Sequence, residues 1–450
     1  MYARYLRYER GQIIVLAAVM MIVLIAIVGL AIDSGRGYGV KAKLNAAVDA
    51  GAIAGARALA EGEDDAARIA AAQAAARNYY FANYPANYLG STLGSPSVGA
   101  VHEPSGYWRV TISGTATMDT TLMRILGFER VPVAAEGQAI RRDLDIILVL
   151  DTSGSLGYPT SPSTTLPRLK QAAIRFIDRF NAGNNGDRVG LVSFASGAVV
   201  DVPIVKDGSR GFNRTTVVNA INALTVTGST ASSEGMRRAL NEINGVPVAS
   251  RSSLRVIAFF SDGAPNDVSA TFVNNSTPVT GDLYSETVSP ATARADRVFR
   301  HDRRDTQLGT YSNIATLPND GFMVTGVGNI PLASYNNRRT LSGTPYTNTR
   351  CNVNKAARNM VENVANTARG QDISVHSIGL GTRVDSLEIS FCSYNASEYG
   401  SSILKRIANT ADSDTYNSAQ ATGLYAWAAS DSELDAAFNT IASEILRLTR

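Results

Sequence analysis

The chain has 450 residues, 45% hydrophobic and 18% charged, with a formal net charge of +3, which suits two or three folded domains and excludes a disordered polyelectrolyte or a multi-span membrane protein. Its 42 Lys and Arg are offset by 39 Asp and Glu with no long basic run, so nucleic acid is not an expected partner. Three scattered histidines (His102, His301, His376) and two cysteines exclude a His-rich zinc site or a closed thiolate cage.

From Ile13 to Ile32 the chain carries no charge or strongly polar side chain, long enough at ~1.5 Å per residue to cross a hydrocarbon core of ~30 Å. Gly29-Leu30-Ala31 offers a small-x-small cleavage site, but the run exceeds the apolar stretch of a signal peptide; a retained anchor is expected. Arg4, Arg7 and Arg10 before the span are matched by Arg36, Lys41 and Lys43 after it, so charge does not orient it. The short leading tail does, as in a signal anchor: residues 1–32 read as cytoplasmic tail and single-pass anchor of the bacterial inner membrane, the bulk being extracytoplasmic. Tyr2, Tyr5 and Tyr8 read either as interfacial anchors or as a disordered tail.

Asp33 to Leu59 has no proline, and Ala47, Ala50, Gly51, Ala54, Gly55 and Ala58 place small residues at helical spacing. Such a stripe packs closely on its own domain or on another helix. Asp64 to Phe81 is a second alanine-rich helix. Tyr107 to Met118 and, more weakly, Val131 to Ile140 alternate as half-buried strands do, so 33–141 predict a small α+β domain.

Arg10-Gly11-Gln12, Gly29-Leu30-Ala31-Ile32-Asp33 and the run Leu44 to Ala56 (LNAAVDAGAIAGA) resemble the N-terminal region of TadG-like proteins of Flp (tight-adherence) pilus assembly, and Thr120 to Phe128 resembles a segment that follows in that family. The resemblance implies a membrane-anchored component of pilus assembly. The glutamate that related pseudopilins carry five residues after the processing glycine is replaced here by Leu16.

The larger half, 142–450, opens with the apolar run Ile146 to Leu150 between Asp145 and Asp151, as expected of a central parallel strand. Further strands are read at Val189–Phe194, Val199–Val205, Leu254–Phe260, Ile373–Ile378 and Leu424–Ala429. Helices fall at Leu166–Phe180, Asn219–Leu224, Ser233–Ile243, Val353–Ala368 and Glu433–Leu448. Their alternation predicts a doubly wound α/β sheet, whose ligands bind beyond the carboxyl ends of the strands. Three polar groups fall there: Asp151, Ser153 and Ser155; Thr230 in Gly228-Ser229-Thr230; and Asp262. An all-oxygen set suits Mg²⁺, with Mn²⁺ or Ca²⁺ possible, rather than zinc. Alone, D-x-S-x-S serves equally as a helix-capping turn.

With G-x-T and S-D-G at the ends of the right elements, the pattern resembles the metal-ion-dependent adhesion site (MIDAS) of von Willebrand factor A domains. The resemblance implies that Asp151, Ser153, Ser155 and Thr230 hold a divalent cation directly or through water, and Asp262 through water. A position then remains for an acidic residue of a protein partner. About a hundred residues separate Asp262 from Ile373; an insertion at about 264–350 is read either as a partner-specificity element over the site or as a tolerated surface loop. Within it, Arg294 to Asp305 could form a solvated helix. Cys351 and Cys392 predict a disulfide in an oxidising compartment. His376 lies mid-strand, and no nucleotide-binding, hydrolase or zinc-protease motif occurs, so an enzyme is not expected. Besides pilus assembly, the readings that remain are a surface adhesin gripping an extracellular ligand and a structural anchor with a vestigial metal site.

Overall fold

The computed structural model describes residues 9–61, 64–103, 107–157, 162–286, 290–385, 392 and 399–448, and the chain divides into two compact units, Met1–Arg141 and Arg142–Arg450. Tyr2, Tyr5 and Tyr8 lie outside the described residues.

In the first unit α1 (Glu9–Ala58) runs unbroken for 50 residues, with no proline to interrupt it. Its leading half exposes apolar side chains all round, Ile14 and Leu24 among them, and is long and apolar enough to cross a membrane. Its trailing half buries Val40, Leu44, Val48 and Ala52. The small-residue stripe faces this unit's own core. A Cβ on Gly51 would stand 2.9 Å from the Ala76 carbonyl oxygen, and one on Gly55 2.9 Å from Val110. Partners here are α2 (Asp65–Ala82), whose first turn is capped by the Asp64 carboxylate accepting the Ala67 N–H at 2.8 Å, and a small sheet. That sheet is built from β1 (Ser91–Leu93), β2 (Ser97–Glu103), β3 (Tyr107–Asp119) and β4 (Arg130–Arg142); β3 lies between β1 and β2 and also pairs with β4. Trp108, Val110, Ile112 and Met118 of β3 alternate inward, as period-2 patterning requires.

The second unit begins with β5 (Leu144–Asp151), α3 (Pro162–Ile177), a short β6 (Gly183–Asn184), β7 (Arg188–Phe194), β8 (Ala198–Val202), β9 (Gly211–Phe212, paired with β6), α4 (Arg214–Asn222), α5 (Ser232–Asn244) and β10 (Leu254–Ser261). After an insertion come α6 (Arg350–Arg369), β17 (Ile373–Leu380), α7 (Gly400–Ala408), β18 (Tyr425–Ala428) and α8 (Leu434–Leu448). The main sheet has the order β18-β17-β10-β5-β7-β8. It is parallel except for the edge strand β8, which returns antiparallel to β7. Along β5, Ile146, Leu148 and Leu150 pack toward α3 and α8, while Ile147 and Val149 pack toward α5, α6 and α7. Helices thus cover both faces, and the doubly wound α/β fold is present as expected.

The insertion is a folded element. β11 (Asp267–Asn274), β12 (Thr277–Tyr284), β13 (Arg297–Phe299) and β14 (Gln307–Thr310) form an antiparallel sheet in chain order, and β15 (Asp320–Val324) pairs with β16 (Gly328–Pro331). Val268, Ala270, Phe272, Leu283 and Val298 make a core against Val353, Ala356, Ala357 and Met360 of α6. The helix expected across Arg294 to Asp305 is corrected: Arg297–Phe299 is strand and 301–305 turn or bend, because the buried Val298 pairs with Leu283 of β12. The charges around it pair locally, Arg297 with Glu286 at 2.7 Å and Arg300 with Asp302 at 3.0 Å. Cys351, in the first turn of α6, is bonded to Cys392, with Cα atoms 5.6 Å apart.

Candidate metal centre

Parallel pairing sets Leu150 of β5 opposite Phe260 of β10, so the two chains leave the sheet side by side. Ser261 Oγ donates to Asp151 Oδ2 at 2.6 Å. Beyond Asp151 the chain turns at once, and the Ser153 N–H donates to Asp151 Oδ1 at 2.8 Å. Thr152 pins this turn to β7, its N–H and hydroxyl both donating to the Phe194 carbonyl at 2.8 and 2.9 Å. Ser153 Oγ and Ser155 Oγ lie 2.9 Å apart, and Ser155 Oγ donates to Asp262 Oδ1 at 2.6 Å. Asp151, Ser153, Ser155 and Asp262 are therefore joined in one run of short hydrogen bonds, the first through the Ser153 amide and the other two between side-chain oxygens. Asp151, Ser153 and Asp262 are buried; Ser155 is half-buried.

Thr230 stands on the neighbouring loop, which two backbone bonds join to the turn: Gly154 N–H to the Gly228 carbonyl, and Thr227 N–H to the Thr152 carbonyl, both at 2.9 Å. Gly228 sits at φ +66°, and a Cβ there would fall 2.4 Å from Ser196 Oγ, so only glycine fits this approach. The Thr230 N–H donates to Asn266 Oδ1 at 2.8 Å and to Asp267 Oδ2 at 2.9 Å. From the insertion's turn, Asp305 accepts from Thr227 Oγ1 at 2.5 Å and from Ser196 Oγ at 2.9 Å. The insertion and the segment leading into it therefore hold the Thr230 loop from two sides. Burial pushes the Asp267 carboxyl up to about 8, against the Ser229 hydroxyl and the Thr230 amide, which favour its charged form.

Among the described residues there is no group of three or more His, Cys, Asp and Glu that could hold a metal ion; this set is instead two carboxylates with hydroxyls. Oxygen donors of this kind are the type that hard divalent cations take; the 2.9 Å between the two hydroxyls is that of the hydrogen bond joining them. A hydrolase triad through His376 has no support in the contacts of Ser153, which lead to Asp151 and Ser155. His376 is buried in β17, its Nδ1 accepting the Leu424 N–H at 3.1 Å, and burial pushes its imidazole down to about 4.

The fold and cluster define a class: a doubly wound α/β domain with carboxylates and hydroxyls gathered at the carboxyl edge of its central strands. Residues 146–264 match the family model of the von Willebrand factor type A domain. Residues 11–58 match that of the putative Flp pilus-assembly TadE/G-like proteins, so the chain carries both. No curated protein matches it. Among solved structures it is similar to the vWF domain of the type V pili tip protein Mfa5 from Porphyromonas gingivalis (18% identity, 69% of this chain and 98% of that one, TM-score 0.40). It is also similar to the pilus adhesin SpaC from Lactobacillus rhamnosus GG (15%, 79% and 34%, TM-score 0.39). A third is a mutant of the PilB minor pilin from Streptococcus sanguinis (16%, 78% and 78%, TM-score 0.36).

Proposed function

We propose that this protein is an inner-membrane-anchored, extracytoplasmic component of Flp pilus assembly that binds a divalent cation, Mg²⁺ first, through Asp151, Ser153, Ser155, Thr230 and Asp262. Through that cation it would capture an acidic residue of a protein partner. The observation that carries this reading is the run of contacts from Asp151 through Ser153 and Ser155 to Asp262, each within 2.9 Å. The TadE/G-like match over residues 11–58 supports the pilus context, and the apolar half of α1 supports the anchor. When bound, the ion supplies a centre of positive charge with a coordination position open to a carboxylate. The protein's part is to hold the hydroxyls in place through Ser261, Thr152 and the Thr230 loop. The role proposed for this arrangement is binding.

Calorimetric titration of the full chain in detergent with Mg²⁺ and Mn²⁺ should give one site, lost in Asp151→Ala without loss of helical circular dichroism. Capture of membrane partners by crosslinking should disappear in EDTA and return with Mg²⁺. Ion binding unchanged by Asp151→Ala would overturn the site, and capture that persists in EDTA would move recognition to the insertion.

A further inference from the structure

Next to the membrane-spanning half of α1 a loop is fixed in place. The Asp33 carboxylate, one residue past the apolar run, accepts the N–H groups of Thr121, Leu122 and Met123 at 2.9, 3.0 and 2.9 Å, and Arg36 pairs with it at 3.2 Å. The loop also reaches back along the helix. A Cβ on Gly29 would lie 2.8 Å from the Leu122 Cβ, and Gly29 is buried while Val28 and Leu30 on either side are exposed. At ~1.5 Å per residue, Gly29 sits roughly 4.5 Å inside the end of the apolar run at Ile32. Leu122 therefore packs on the helix at a depth where the helix itself faces hydrocarbon.

What the loop turns outward is apolar. Ile125 is 72% exposed, Phe128 59%, Leu126 48% and Val131 37%, on a 3₁₀ turn (Met123–Leu126) and the start of β4. Clustered apolar exposure beside a membrane span is what interfacial segments show. Arg124 and Arg130 on the same stretch are exposed, with side chains long enough to reach headgroups.

We propose that residues 122–131 form a second membrane contact, a wedge whose Ile125, Leu126, Phe128 and Val131 enter the bilayer leaflet on the side of the folded units. The wedge rests on the reading of α1 as a retained anchor. The occupant is lipid, because the patch continues the surface that α1 already presents to hydrocarbon. A protein neighbour covering the same patch would instead leave it wet in pure lipid vesicles.

Both native cysteines are joined to each other, so a single introduced cysteine can be labelled with an environment-sensitive fluorophore in the full chain reconstituted into phosphatidylcholine vesicles. Leu16→Cys reports the anchor, Ile125→Cys the wedge, and Val101→Cys, on an exposed site of β2, the aqueous control. The inference requires blue-shifted emission and quenching by nitroxide-bearing lipids at both Leu16→Cys and Ile125→Cys, with a water-like spectrum at Val101→Cys. A quenched label at position 16 with a water-like one at 125 would overturn the wedge and leave the anchor standing. Water-like spectra at both would overturn the anchor and the wedge together.

Discussion

Asp267 lies 37 residues beyond Thr230 in the chain, yet its carboxyl oxygen accepts the Thr230 N–H at 2.9 Å and so fixes a loop of the candidate metal centre. Outer residues of this kind are worth about 10–100-fold in metal affinity. Asp267→Leu should therefore weaken Mg²⁺ binding by about that factor, whereas Asp267→Asn, whose amide oxygen can accept the same N–H, should lose little. Titration calorimetry of the two variants side by side checks this, and equal affinities would deny Asp267 the role. The gathered residues were legible in the sequence because Asp151 directly follows an apolar run, and Asp262 follows another by one serine, both runs reading as buried strands. Asp267 was not legible: an aspartate at the head of an alternating segment gives no sign that it faces inward toward a loop of another element. Ser261 was half legible, part of the quoted S-D-G but without a role until parallel register put it beside Asp151.

Elements in the insertion show the opposite balance. Its hairpin turns through Asn275 and Ser276, both left-handed at φ 47° and 65°, as a two-residue hairpin turn demands, but Ser at the second position hides the usual Asn-Gly signature. Val298 is buried among charged neighbours, so its strand reads as a solvated helix when composition alone is weighed. What ties the insertion to the α/β domain is also ionic and buried. Glu362 of α6 meets Arg339 of the insertion at 2.8 Å and Arg406 of α7 at 3.3 Å. Burial alone would raise its carboxyl, but the two guanidinium groups hold it below the ordinary range. Arg406 keeps its pair with Asp414 at 2.8 Å, but Glu362→Gln withdraws the negative charge that faces the buried Arg339, so it should cost about 3 kcal/mol in urea unfolding. A cost no larger than the ~0.5 kcal/mol of a surface change would show that apolar packing against α6 suffices.

At the scale of the whole molecule, the disulfide and the anchor make linked claims about compartment. The bond between Cys351 and Cys392 spans a sequence separation of 41, worth about 3–4 kcal/mol in the chain-entropy model, so reduction should lower the unfolding midpoint of the full chain. In cells, alkylation under denaturing conditions should find both thiols blocked, since such bonds persist outside the reducing cytoplasm. Free thiols there would overturn the proposed extracytoplasmic placement of the larger unit. The order of parts, apolar helix, small α+β unit, then α/β unit, was legible throughout, because long runs and repeated strand–helix alternation survive local ambiguity.

The uninterrupted course of α1 through Glu9–Ala58 has a mechanical meaning. With its apolar half embedded as proposed, one helix would serve both as membrane span and as backbone of the first unit's core, and the unit would follow the tilt and twist of the span. From Ile32 to Ala58 the helix rises about 39 Å, so a tilt of about 20° carries its far end roughly 13 Å sideways along the membrane. In that arrangement a pull or torque applied to the first unit would pass along an unbroken helix to the embedded half, and the anchor would act as a lever arm rather than a tether.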